Sequence, residues 1–202
     1  MSRPARCWVC TSPHPRVLLP MGSSLAPCDG GLPWHRSRAA QGAELEGPWM
    51  VRAAVRLPLG PRPSKAVVFG ARWIGAIHLR WLCQMGLQSV APYQGPPQPA
   101  WAAFRARAPG DVLVGTRKVC SVGEVIGRRE VLLVASTLLH PPPWNRLGAA
   151  LQRPDREVAE LGDGALAASM LLGRRVDAAA WTASLRRLLH LSLGVRELQE
   201  VG

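Results

Sequence analysis

Of the 25 basic residues in the chain, only Lys65 and Lys118 are lysines; all the others are arginines. Lys118 follows Arg117 in GDVLVGTRKVCSVGEVIGRREVLLVASTLLH, residues 110–140. An ammonium is a compact point charge, whereas a guanidinium is a planar fork. A lysine kept against an arginine background therefore suits a place where a point charge meets a developing anion, such as a carboxylate or phosphate oxygen. The plain alternative is an exposed strand residue. Cys120 lies two residues on, and on a regular strand it shares the face of Lys118. A neighbouring ammonium would lower its thiol pKa and favour a nucleophile, although a buried structural cysteine is the commoner role. Cys7-Trp8-Val9-Cys10 has the spacing of half a zinc site, but no second cysteine pair or matching histidine pair completes it, so no metal is expected. His14, His35, His78, His140 and His190 have no triad or metal spacing; His35 reads as a loop residue.

The elements that would carry these groups must come from 202 residues, enough for one large domain with a real core, and residues 1–202 are read as a single domain. Hydrophobic residues make up 48% of the chain. The formal charge of +12 attracts anionic partners. No block of five like charges occurs, so the expectation is a generally basic surface for an acidic protein rather than a nucleic-acid stripe. Arginine and proline interrupt the apolar runs of residues 1–20, no run reaches membrane-spanning length, and the five cysteines are irregularly spaced. These features predict a reduced, cytoplasmic, monomeric protein that does not engage a membrane. Scarce Tyr and Phe beside abundant Trp, Pro, Gly and Ala look like GC-rich codon usage, which keeps open a reading frame without natural function.

Periodicity predicts the scaffold. Residues 16–19 are a short strand candidate, and residues 29–48 are rich in turn formers. Met50 to Leu57 alternates, with Val51, Ala53, Val55 and Leu57 on one face and Arg52 and Arg56 on the other. A helix is expected from Ser64 to Met85, with Val67, Ile74, Ile77, Trp81 and Met85 inward and Gly86 closing it. Residues 92–100 read as a Pro- and Gln-rich loop. Val112–Val114 and Lys118–Cys120 form a hairpin across a Gly115-Thr116 turn of the II′ type. Val131 to Leu139 is a strand buried on both faces, a helix starts near Trp144, and the last helix runs from Asp177 to Leu193. The order predicts an α+β fold with a mixed, largely antiparallel sheet flanked by helices.

On these residues the sequence resembles the catalytic domain of the biotin/lipoate protein ligases. PGDVLVGTRKV, residues 109–119, is similar to that family's lysine hairpin, with the family lysine on Lys118. PWHRSRAAQGAELEGPWMVRAAVRLP, residues 33–58, lies where the family has its Arg-Arg-x-Ser-Gly-Gly-Gly-Ala loop and following strand. RVLLPMGSS, residues 16–24, resembles the preceding strand, and the likeness covers about residues 6–195. It implies an enzyme that activates lipoate, biotin or octanoate with ATP and Mg2+ as an acyl-adenylate, then transfers the acyl group to a lysine of an acidic acceptor domain. It implies Lys118 as the catalytic residue and Arg36, Arg38, Gln41, Gly42, Ala43 and Asp111 as ligand-binding residues. A transferase with a cysteine nucleophile would use Cys120. The sequence departs from the loop motif: Ser37, Ala39, Ala40 and Gln41 replace the second Arg, the Ser and the first two Gly, and Ser121 stands where a Gly is expected. Those departures leave a second reading, a non-catalytic basic module that binds an acidic carrier protein.

Overall fold

The computed structural model describes residues 5–28, 31–38, 40–59, 67 and 69–194. Strands β1 (Arg6–Cys10), β2 (Arg16–Pro20), β3 (Trp34–Ser37), β4 (Glu44–Glu46) and β5 (Met50–Pro58) precede helix α1 (Ala71–Gln84). Then come β6 (Ala91–Pro92), β7 (Val112–Val114), β8 (Arg117–Ile126) and β9 (Glu130–Leu138). Four helices follow: α2 (Trp144–Ala150), α3 (Asp155–Gly164), α4 (Ala168–Leu172) and α5 (Ala178–Leu193). Six strands form one sheet in the order β1-β5-β9-β8-β7-β6, and a smaller sheet has the order β3-β2-β4. The fold class is α+β as expected, with one refinement. Every pairing in the large sheet is antiparallel, and the parallel pairing is β2 with β3 in the small sheet.

Alternation in β5 has the predicted consequence. Val51, Ala53, Val55 and Leu57 are buried in the larger core cluster with Ile74, Ile77 and Trp81 of α1. Helix α5 closes that layer: Trp181 meets Trp81 edge-on at 5.3 Å, and Arg186 donates to the Val9 carbonyl of β1 at 3.1 Å. Asp177 caps α5 by accepting from the Ala179 and Ala180 N–H groups, and Gly194 ends the helix in the left-handed region. A second cluster joins Val17, Leu19 and Leu45 of the small sheet to Met50, Leu138, Phe104 and Leu147.

Several boundaries differ from expectation. Helix α1 is described from Ala71, Val67 and Phe69 just before it are also helical, and Ser64 and Lys65 lie outside the described residues. The turn-rich stretch 29–48 contains β3 and β4, and the loop 92–100 is preceded by the short β6. Arg6–Cys10 pairs with β5 as an edge strand. There Cys7 and Val9 turn inward while Trp8 and Cys10 turn out, so the Cys-x-x-Cys pair straddles the strand and cannot close on one ion. Among the described residues no helix is long and apolar enough to cross a membrane.

The hairpin is positioned by a close approach of two glycines. A Cβ on Gly75 of α1 would collide with the Gly110 backbone, and Gly110 itself has φ +102. Gly75→Ala is therefore expected to destabilise the protein by about 1–3 kcal/mol, read as a lower denaturant midpoint at unchanged slope. An unchanged midpoint would mean the helix and the loop before Asp111 are not in tight contact.

Candidate functional site

The Gly115-Thr116 turn joins β7 to β8, with Gly115 at φ +58 as a II′ turn requires. Pairing then slips: Val112 faces Cys120 and Leu113 faces Lys118, which leaves Val119 as the extra residue of a β-bulge. The bulge re-aims the strand. Lys118 Nζ donates to the Ala103 carbonyl at 2.8 Å, and Ser121 Oγ approaches the same oxygen at 3.5 Å. Lys118 thus reaches the same acceptor as Ser121, while Cys120 looks into the opposite core beside Thr137. This corrects the expectation of a shared Lys118–Cys120 face. Burial pushes the Cys120 thiol up to about 12, so a thiolate nucleophile there is unsupported.

Lys118 is only 2% exposed, so its ammonium is enclosed rather than presented to solvent. Its ammonium lies 2.6 Å from Asp111 Oδ2. Asp111 is wholly buried and also accepts from the Ala108 N–H at 2.7 Å and the Val122 N–H at 2.8 Å. Burial pushes the Asp111 carboxyl up and the Lys118 ammonium down; their mutual attraction opposes both shifts. The Lys118 backbone is fixed as well, because its carbonyl accepts from the Leu166 N–H at 2.9 Å.

The loop residues divide. Gly42 and Ala43 are buried against the segment that carries the Ala103 carbonyl: Ala43 exchanges hydrogen bonds with Trp101 and Ala103, and a Cβ on Gly42 would stand 2.6 Å from the Ala102 carbonyl carbon. Gly42 is thus needed for close backbone packing next to Lys118. Arg36 does not face this site. Its guanidinium donates to the carbonyls of Pro20, Ser23 and Leu25, which ties the turn after β2 to β3. Arg38 is exposed, and Ala39 lies outside the described residues. Gln41 lines an open cleft of about 420 Å³ together with Phe69, Ala71, Arg72, Ala108, Pro109 and Glu124. Ala108 is the residue whose N–H holds Asp111, so one residue links the cleft lining to the Lys118–Asp111 pair.

Other polar residues here were not singled out from the sequence. Register places Arg52 of β5 opposite Ser136 of β9, and Ser136 opposite Ser121 of β8. All three side chains therefore share one face, and Ser121 and Ser136 are buried. Glu44 of β4 lies above them, 3.5 Å from Arg52. The alternation of β5 did reveal that Arg52 turns away from the core, but not that a second sheet covers that side. Among the described residues no group of three or more His, Cys, Asp or Glu side chains could hold a metal ion.

Two sheets, an antiparallel floor with helices behind it and a lysine hairpin on it, make up a known fold. It is the fold of the lipoate-protein ligases. The chain matches a lipoate-protein ligase A solved with ATP at a TM-score of 0.69 and 14% identity, over 94% of this chain and 73% of that one. It matches a bi-partite lipoate protein ligase from T. acidophilum, described with its lipoyl domain, at 0.63 and 15%, over 94% and 71% of the two chains. A P. falciparum protein in complex with lipoate gives 0.63 and 11%, over 98% and 50%. No family model and no curated protein matches the sequence.

Proposed function

We propose that the chain is a lipoate-protein-ligase-like enzyme: it joins a carboxylic acid to ATP as an acyl-adenylate, releasing pyrophosphate, and passes the acyl group to a lysine of an acceptor domain. The observation that carries this reading is the buried Lys118–Asp111 pair, tied through the Ala108 N–H to the cleft lined by Gln41, Ala108 and Pro109. The cleft volume falls within the range of small-molecule sites. Phe69 and Pro109 offer apolar walls, and Arg72 offers a cation for phosphate. Mg2+, which a nucleotide substrate brings with it, would find one carboxylate there, Glu124, whose Oε2 already accepts from the Ala71 N–H at 3.1 Å.

An ammonium has three N–H donors. Asp111 and the Ala103 carbonyl take two, and the third is left for an incoming carboxylate or α-phosphate oxygen. Asp111 holds the charge in place before the anion develops, so little reorganisation is needed during the reaction. Substrate entry requires the segment carrying the Ala103 carbonyl to give way, since Lys118 is buried and already donates to that oxygen. The formal charge of +12 favours an acidic acceptor domain, such as a lipoyl or biotinyl domain.

ATP–pyrophosphate exchange with lipoate, octanoate or biotin tests the reading, followed by the mass shift of an acceptor lysine. Lys118→Arg should lower exchange about a hundredfold, because a planar guanidinium does not replace a point charge between two fixed acceptors. Arg117→Lys should leave it unchanged, since Arg117 is exposed. Equal rates for wild type and Lys118→Arg would remove Lys118 from the site. The second reading, binding without turnover, draws on the closure over Lys118; it is preferred if an acidic acceptor domain binds and no acid supports exchange.

A further inference from the structure

One loop closes over Lys118. Its neck is the pair Gln98 and Arg107, whose backbones exchange hydrogen bonds at 2.8 Å in both directions. From that neck residues 99–106 make an Ω-shaped excursion between Ala43, at the entry to β4, and Lys118 of β8. The Ala103 N–H donates to the Ala43 carbonyl at 2.9 Å, while the Ala103 carbonyl accepts from Lys118 Nζ at 2.8 Å. A peptide oxygen thus occupies the ammonium that an incoming acid would need. The insertion is deep but lightly anchored. Ala102, Ala103 and Ala106 are buried, and Phe104 is the large side chain that goes in with them, its ring 5.9 Å from that of Trp144. Alanine has no rotamer freedom to lose and little apolar area to bury, so withdrawing the loop costs little beyond Phe104. What pins it lies at the rim. Arg105 meets Glu160 of α3 at 2.7 Å, with the two side chains 41% and 39% exposed, and Arg107 donates to the Thr116 carbonyl of the hairpin turn at 2.9 Å.

We infer that residues 99–106 are an autoinhibitory plug on Lys118, latched by Arg105 and Arg107 and withdrawn as a unit while the sheets stay folded. The inference rests on the ligase-like reading above and adds the regulation of its site. Loops with few apolar contacts open at far lower free energy than the core around them. Withdrawal breaks the bonds of Ala103 to Ala43 and Lys118 but spares Leu166, whose N–H is held by the Lys118 carbonyl at 2.9 Å.

Amine acetylation of the full chain, read by mass spectrometry, tests the plug without ATP or acid. The chain has two lysines, Lys65 and Lys118, so the label on Lys118 is read without ambiguity. Below the unfolding midpoint the Lys118 labelling rate is expected to stay flat with urea, because a local opening exposes little surface. Hydrogen exchange at the Leu166 N–H should instead rise with urea, as global unfolding does. Arg105→Gln/Arg107→Gln should lift the flat labelling rate roughly tenfold, since it removes one exposed ion pair and one charged hydrogen bond. Labelling that climbs with urea at the slope of Leu166 exchange overturns the plug, because only unfolding then bares the lysine. A flat rate that the double variant leaves unchanged overturns it too. The ligase-like reading fails separately, as absent pyrophosphate exchange with every acid. Where exchange is measurable, the double variant should raise it as well, and a rate that does not rise overturns the inhibitory role.

Discussion

Lys118→Met should destabilise the folded protein by about 3–5 kcal/mol, the cost of leaving one member of a buried ion pair alone. Asp111 is 0% exposed, and without the ammonium its carboxylate keeps only the N–H groups of Ala108 and Val122. The Ala103 carbonyl loses its donor as well. Removing the opposing charge should recover part of that cost: Lys118→Met/Asp111→Asn is expected to be about 2 kcal/mol more stable than independent effects would allow. Urea unfolding of the wild type, the single variants and the double variant closes the cycle. A Lys118→Met protein within about 0.5 kcal/mol of wild type would show that the pair is not desolvated as the geometry requires. The measurement separates structure from catalysis, because it needs no substrate.

Acid should unfold the protein through His78. The imidazole is wholly buried against Trp81, with Nδ1 2.9 Å from Thr137 Oγ1 and no partner on Nε2. Burial pushes its pKa down from 6.5 to about 3. Above pH 6.5 the ring is neutral in both folded and unfolded chains, and the stability is fully present. As pH falls below 6.5 the unfolded chain takes up a proton that the folded one refuses, so stability declines by about 1.4 kcal/mol per pH unit until the folded pKa is reached. The total between pH 6.5 and 3.5 is about 4 kcal/mol. The Asp111 carboxyl, raised by burial, works in the opposite direction, so the comparison is with His78→Gln, which keeps a partner for Thr137. The difference between the two stability curves should carry the slope. Parallel curves from pH 7 to pH 4 would show that His78 protonates without penalty.

The elements with a clean period were legible in the sequence. Alternation in β5, the glycine turn between β7 and β8, the apolar run of β9 and the capped α5 are local signals that tertiary packing reinforces. β3 and β4 were not legible because their residues contradict a strand. Trp-His-Arg-Ser has no apolar face, and Glu-Leu-Glu buries two carboxylates that are acceptable only beside Arg52 and Arg16. The α3 helix hid behind its charge and two glycines. At the site, the rarity of Lys118 pointed to a special place, and its neighbour Asp111 proved to be the reason it can stay charged there. Spacing could not show that a bulge would turn Lys118 away from Cys120. Nor could spacing show that Arg36 donates to the carbonyls of Pro20, Ser23 and Leu25, because a guanidinium serves three backbone carbonyls as readily as a phosphate.

The hydrogen bond from Arg186 to Val9 joins residues 177 apart in the sequence, and Trp181 completes the layer around Trp81. A nascent chain emerging from the ribosome can pair β5 with β1 and β9, but it cannot close this layer until α5 has been made. The apolar side of α1 therefore waits through the synthesis of some hundred further residues, with Ile74 and Trp81 lacking their final cover. In such a chain the vulnerable interval is not the mature fold but its assembly, and the completing helix decides when that interval ends.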